Sequence, residues 1–332
     1  MSSTLSMISQ TWPPKPKWGT DDIPDLKGKV TIVTGAYALS CLAEPVLKWG
    51  LGNEGGYSGV GKETVKALLA HNAKVYIAAR SEEKAKVAIE DLKKETGKEA
   101  IFLKLDLADL PQVRKSAEEF LGKEKELHIL FNNAGVMSCP IDLLTAQNYD
   151  MQCGTNVIGH HFFTKLLLPA LSAAFEASGQ KPRVVTTSSS GSTMPSKAKV
   201  ELWTDVPQRK KRASFDMYCQ SKFGNVVQAK ELARRYGDKL VSTSVNPGNL
   251  KSELQRHMEG TLQAKLVECA LLYPASLGAL TQLWAGTSPE GAEFNGKYLV
   301  PWARVGKANP ATQDPEEGEK LWEWLEEQCA RY

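Results

Sequence analysis

Long apolar runs are missing from this 332-residue chain. No window approaches the roughly eighteen uninterrupted apolar residues that a membrane-spanning helix needs, so none is expected. The start, MSSTLSMISQTWPPKPKWGTDDIP, has no basic stretch followed by an apolar run and is not a secretory signal. Charge of one sign is also scarce: the net charge is only +3, too small to single out nucleic acid or an anionic membrane as partner. The stretch PQRKKR, Pro207 to Arg212, is basic but has no basic helix or aromatic platform beside it, and reads as a solvated loop. No CxxC pair occurs among Cys41, Cys139, Cys153, Cys219, Cys269 and Cys329. That spacing argues against a zinc site or a disulfide framework and fits free thiols in a reducing, cytoplasmic setting. His160 and His161 adjoin with no acid or cysteine at ligand spacing, so no metal is expected.

What is present is ordinary in amount, with 42% apolar and 24% charged residues, as in globular proteins. From Lys29 onward, short apolar segments alternate with helical ones. KVTIVTG, AKVYIAAR, AIFLKLD, LHILFNNAG, RVVTTSS, LVSTSVNPG and KYLVPW are near-continuous apolar runs, as expected for parallel strands covered on both faces. GVGKETVKALLAHN and LPQVRKSAEEFLGK carry apolar residues at helical spacing. SEEKAKVAIEDLKKETG opens on Ser81, an N-cap candidate, with Glu82 and Glu83 at the positive end of the helix dipole. Repeated βα units predict an α/β fold, a doubly wound parallel sheet with right-handed crossovers. With no repeat, linker or composition shift, residues 1–332 are expected to form a single domain, 1–28 being an N-terminal extension. The last helix, GEKLWEWLEEQCARY, is expected to dock its Leu and Trp residues on that domain.

One stretch departs from the pattern. TGAYALSCLAEPVLKWGLGNEGGYSGVGKET, Thr34 to Thr64, reads as a single phosphate-binding turn divided by Ala36 to Gly55. A strand ending in glycine and a glycine-rich turn into a helix offer backbone N–H groups to a pyrophosphate. Gly35, Gly59, Val60 and Gly61 are the candidates for this contact, glycine being needed where a side chain would block the phosphates. Arg80 ends the second strand, nineteen residues after Gly61. An acid there would suit the ribose of NAD; Arg80, with Lys62 nearby, suits the 2′-phosphate of NADP. Exposed surface charge is the bland alternative for both.

NNAG, Asn132 to Gly135, closes the fourth strand, and YCQSK, Tyr218 to Lys222, opens a helix. Tyr and Lys at i and i+4 share a helical face. A free phenol titrates near about 10, and an adjacent ammonium in a dry cleft is expected to lower that by roughly two or three units. Such a group exchanges a proton with an alcohol or carbonyl oxygen.

NNAG, the SS pair, YxxxK and NPG, in this order, resemble the short-chain dehydrogenase/reductase family, in its retinol-dehydrogenase-like branch with many fungal relatives. The resemblance runs from about Lys29 to Trp302. It implies a seven-stranded Rossmann sheet, NADP in preference to NAD as hydride carrier, and a Tyr–Lys–Ser–Asn catalytic group. By position, Tyr218 resembles the general acid/base, and Lys222 the residue that lowers its pKa and bonds the nicotinamide ribose. Ser189 would orient the substrate oxygen, with Ser188 and Ser190 as adjoining alternatives. Asn156 would hold a relay water, Asp106 meet the adenine and Asn133 the cofactor ribose. Leu250 and Ser252 in NPGNLKSEL match the nicotinamide-side loop, and Lys165 matches a basic position that the family assigns to the cofactor. The family also implies homodimers or homotetramers through helix pairs.

The excursion between Ser189 and Tyr218 includes Leu202 and Trp203. With the segment after Ser252 it is expected to wall an apolar pocket for a lipophilic alcohol or ketone. Residues 36–55 read as translated intron or a gene-model error, since their excision restores an unbroken motif. They are expected to leave the fold recognisable but to cover the cofactor site or displace the helix start. The alternative function is therefore a catalytically impaired or non-catalytic scaffold.

Overall fold

The computed structural model describes residues 8–36, 59–250 and 272–332. Apart from Ala36, the divided turn's insertion lies outside the described residues, as do Ser252 and the segment after it.

Seven parallel strands form where the apolar runs stand: β1 Val30–Thr34, β2 Lys74–Ala79, β3 Ile101–Lys104, β4 Ile129–Asn132, β5 Arg183–Thr187, β6 Val241–Val245 and β7 Tyr298–Val300. An eighth, β8 Arg304–Val305, returns antiparallel to β7. Two residues carry no readable period, and only the turn after β7 creates that strand. The sheet order is β3-β2-β1-β4-β5-β6-β7-β8, so the chain reverses its direction of winding between β1 and β4. Register there is tight, with Thr31 opposite both Val75 and Ile129.

The helices are α1 Val60–Ala70, α2 Glu82–Thr96, α3 Leu110–Lys123, α4 His160–Ser178, α5 Ser214–Tyr236, α6 Ala275–Thr287 and α7 Pro315–Cys329. Ser81 caps α2 as expected, accepting from Lys84 N at 3.3 Å, and Gly97 ends it with φ +71. Adjacent strand residues point to opposite faces. Ile32, Leu130 and Val184 enter one core, with α3, α4, α5 and α7. Val33, Phe131 and Val185 enter the other, with α1, α2 and α6. Helix α7 docks through Leu321, Trp322 and Leu325, while Glu319 and Glu326 pair with Arg235 of α5 and Lys165 of α4. Among the described residues no helix is long and apolar enough to cross a membrane.

Candidate functional site at the carboxyl edge of the sheet

Reversal of winding between β1 and β4 opens a crevice at the carboxyl ends of the strands, the usual ligand position in such sheets. Its floor is built by the end of β1. Gly35 has φ +64, and a Cβ there would stand 2.8 Å from that of Ala134. Asn133 Nδ2 donates to Thr34 O at 2.9 Å and to Gly35 O at 3.3 Å. Gly61, in the first turn of α1, closes the other side: a Cβ there would meet Asn133 Nδ2 and Gly35 O at 2.7 Å and Ala36 Cα at 2.8 Å. The two ends of the divided turn thus meet. Gly59 precedes that helix and has no side chain to cap its first-turn N–H groups. Val60 packs beside Leu250, Leu280 and Trp302.

Around this floor the remaining cofactor candidates divide. Arg80 is exposed at the end of β2. Lys62 is instead paired with Asp91 of α2 at 3.1 Å. Asp106, just past β3, bonds its own turn through Ala108 N at 3.0 Å. Leu250 is buried and bridges to Tyr273. Lys165 is not brought to the crevice: it pairs with Glu326 at 2.8 Å and lies over the Trp322 ring.

The catalytic candidates do converge. Tyr218 and Lys222 lie one turn apart on α5, both buried. A Cβ on Gly191 would lie 3.6 Å from Tyr218 Cε1 and 3.7 Å from Ser189 Oγ, which places the serine hydroxyl against the phenol. A Cβ on Gly135 would lie 3.3 Å from Lys222 Nζ and 3.4 Å from Asn156 Oδ1. Ser188 is otherwise engaged, donating to Lys222 O at 2.7 Å. Asn156 sits in a π-helical turn, Gly154–Gly159, that precedes α4. Such turns recur at functional sites because they re-aim a side chain. Its Oδ1 accepts from Val136 N at 2.8 Å and its Nδ2 donates to Val136 O at 3.0 Å and Ser221 Oγ at 2.9 Å.

Electrostatics here differ from expectation. Burial pushes the Tyr218 phenol up to about 12, and the facing Ser189 hydroxyl offsets only part of the rise. Lys222 does not overcome that rise. The ammonium lies 5.7 Å from the phenol ring centroid, donates to Thr187 O at 3.0 Å, and is itself pushed down to about 8 by burial. Desolvation acts on both charged forms and outweighs their attraction across the ring.

Other residues enter that no sequence pattern marked. His160 is buried and held down to about 4, chiefly by burial. Its Nδ1 lies 3.0 Å from Asn156 O and its Nε2 2.9 Å from Thr34 Oγ1. A carbonyl only accepts, so Nδ1 carries the proton and Thr34 donates to Nε2. Thr34 Oγ1 also accepts from the N–H groups of Asn133 and Ala134, at 3.0 and 2.9 Å. One neutral imidazole therefore ties the floor to Asn156. Phe215 stacks on Tyr218 with centroids 6.0 Å apart and is 46% exposed, and Met194, 61% exposed, touches Cys219. Leu202 and Trp203 do not line a pocket. They are 5% and 0% exposed and belong to the core, Trp203 meeting Trp324 edge-on. The free-thiol expectation holds for Cys153, Cys219 and Cys329, but Cys139 is disulfide-bonded.

Comparison with known proteins identifies the family. Residues 54–201 match the family described as short chain dehydrogenase, a match that begins at the far end of the divided turn. A short-chain dehydrogenase/reductase of Armillaria gallica is 59% identical over the whole of both chains. Another, from Phomopsis amygdali, is 36% identical over all of this chain and 98% of its own. Among solved structures, an uncharacterised protein from Mycobacterium paratuberculosis superposes with a TM-score of 0.67 at 25% identity, covering 94% of this chain and 97% of that one. A short chain dehydrogenase from Shigella flexneri complexed with NADP gives 0.60 at 21% identity, over 83% of this chain and 98% of its own. The chain belongs to the short-chain dehydrogenase/reductase family and is an oxidoreductase.

Proposed function

We propose that the chain is an NADPH-dependent reductase that converts a ketone or aldehyde on a lipophilic small molecule to its alcohol, and catalyses the reverse reaction as well. The observation that carries the reading is the convergence of Tyr218, Ser189, Lys222 and Asn156 beside Gly191 and Gly135. The floor suits a dinucleotide: Gly35 and Gly61 leave no room for side chains, and Gly59 leaves the first-turn amides of α1 without a side-chain cap. When bound, the cofactor supplies the hydride. Exposed Arg80 favours a 2′-phosphate, hence NADP over NAD. Asn133 and Lys222 would hold the ribose side.

The protein's own part is proton supply and orientation. A phenol at about 12 is protonated at neutral pH, the state in which it can donate to a carbonyl oxygen. Ser189 orients that oxygen against the phenol. Asn156, its side chain held against Val136 and its Oδ1 close to Lys222 Nζ, is the residue that would hold a relay water toward Lys222. Exposed Phe215 and Met194 beside Tyr218 and its neighbour Cys219 support an apolar substrate. A homodimer or homotetramer would use faces other than those that α7 covers on α4 and α5.

The alternative, a non-catalytic scaffold, draws on the inserted segment, and the closure of the turn at Ala36 and Gly61 weighs against it. NADPH consumption with a panel of lipophilic aldehydes and ketones tests the proposal. Turnover that Tyr218→Phe abolishes supports it; no turnover of any member would sink it.

A further inference from the structure

Among the described residues of the N-terminal extension, one polar side chain is buried. Gln10 is 3% exposed, whereas Ile8 and Trp12 on either side are 49% and 56% exposed. A buried amide without partners costs about 1–3 kcal/mol, so what it bonds is informative. Gln10 Oε1 accepts from Asn246 Nδ2 at 2.9 Å, across 236 positions of sequence. Asn246 Oδ1 in turn accepts from Gly248 N at 3.0 Å, closing the turn after β6 in which Gly248 has φ +89. Tyr298 O–H stands 3.5 Å from the same Gln10 oxygen and 3.3 Å from Ser189 O. Arg304 fastens the extension from the side, donating to Ser9 O at 2.9 Å.

We infer that Gln10 is a positioning residue of the catalytic crevice, holding the Asn246–Gly248 turn, while Tyr298 gives its one proton to the nearer Ser189 O and fastens that backbone separately. The inference rests on the reading of Ser189 given above. Gln10, twenty residues before β1, thus forms part of the site. Removing the Gln10 oxygen frees Asn246 Nδ2 to seek another acceptor and loosens the wall against which the substrate oxygen is set. A shift of about 1 Å at such a wall can cost up to about a hundredfold in rate.

The test uses the full chain carrying Gln10→Leu, Gln10→Met, Gln10→Glu or Tyr298→Phe. Hydrogen exchange of the protein without cofactor is followed by mass spectrometry, alongside kcat and KM for aldehyde reduction. Gln10→Leu is expected to speed exchange about fivefold or more in residues 245–250 while leaving β2 unchanged. It should lower kcat about tenfold with KM within about twofold. Gln10→Glu keeps an acceptor oxygen and should restore most of kcat. Tyr298→Phe, which removes only a hydroxyl, should speed exchange in 187–193 alone, and Gln10→Met, which keeps the side chain's length without its oxygen, decides the matter if Gln10→Leu does not fold. Unchanged exchange in these segments, or an undiminished kcat in Gln10→Leu, overturns the inference. If the unmodified chain reduces no carbonyl compound, the functional reading fails, while exchange still reports on the Gln10 linkage.

Discussion

Ala36 and Gly61 are in contact across twenty-four intervening residues, the Cβ position of Gly61 lying 2.8 Å from Ala36 Cα. Strand and helix therefore meet as they would in an undivided turn. Closing a loop of this length costs about 2–3 kcal/mol of chain entropy, which a domain stable by about 5–15 kcal/mol can absorb. What the segment does to the cofactor is a separate question, because it leaves β1 where a pyrophosphate would rest. Excision of residues 36–55 is expected to tighten NADPH binding by about tenfold or more, equivalent to about 1.4 kcal/mol. Titration of both forms by nucleotide fluorescence checks this, and equal dissociation constants would place the segment clear of the site.

Gly61→Ala tests the floor itself. Alanine is the better helix former by about 0.8–1.0 kcal/mol, but its methyl would meet Asn133 Nδ2 and Gly35 O at 2.7 Å. Overpacking of that kind costs about 1–3 kcal/mol, so the clash wins. A lower thermal midpoint and weaker NADPH affinity are expected, against a gain in midpoint if the helix term dominated.

The three adjoining serines separate cleanly. Ser189→Ala should lower kcat by about 10²–10³-fold, as loss of an oxyanion-type donor does. Ser188→Ala loses the bond to Lys222 O and should cost about 1 kcal/mol of stability with less effect on kcat. Urea unfolding and steady-state kinetics on both variants check the assignment; the reverse pattern would transfer the role to Ser188.

Lys222 sets the pH behaviour. Its folded pKa is lowered from 10.5 to about 8, so the folded chain releases this proton earlier than the unfolded one. At 1.36 kcal/mol per pH unit, holding the ammonium buried costs about 3 kcal/mol below pH 8, and the cost fades between about 8 and 10.5. Lys222→Met should therefore raise the thermal midpoint at pH 7 while abolishing turnover, with the gain vanishing near pH 10. Carbonyl reduction by the unmodified chain should be flat below about 8 and fall above it. Calorimetry and a pH–rate profile measure both.

Phe215 offers a handle on substrate. It is 46% exposed and stacks on Tyr218, so Phe215→Ser removes apolar contact while leaving every reacting side chain in place. KM for long-chain carbonyl compounds should rise about tenfold, in keeping with about 1.5–3 kcal/mol for a lost apolar contact, with kcat little changed. An unaltered KM across chain lengths would remove Phe215 from the substrate path.

By itself the sequence determined the seven parallel strands, the helix caps and the residue types at the crevice. These depend on local periodicity, and on a tyrosine and lysine that share a helical face wherever the helix lies. Tertiary structure decided which serine meets the phenol, since the Ser188 hydroxyl is taken up by Lys222 O while that of Ser189 bonds Tyr218. It also decided that Leu202 and Trp203 pack the core while Phe215 and Met194 stand exposed beside Tyr218 and Cys219, because apolar character does not reveal what an apolar residue faces. Burial turned the expected acidic tyrosine into one held at about 12, a desolvation effect that depends on every neighbour at once. Gln10 and His160 reach the site through single hydrogen bonds between distant segments, and no spacing along the chain encodes those.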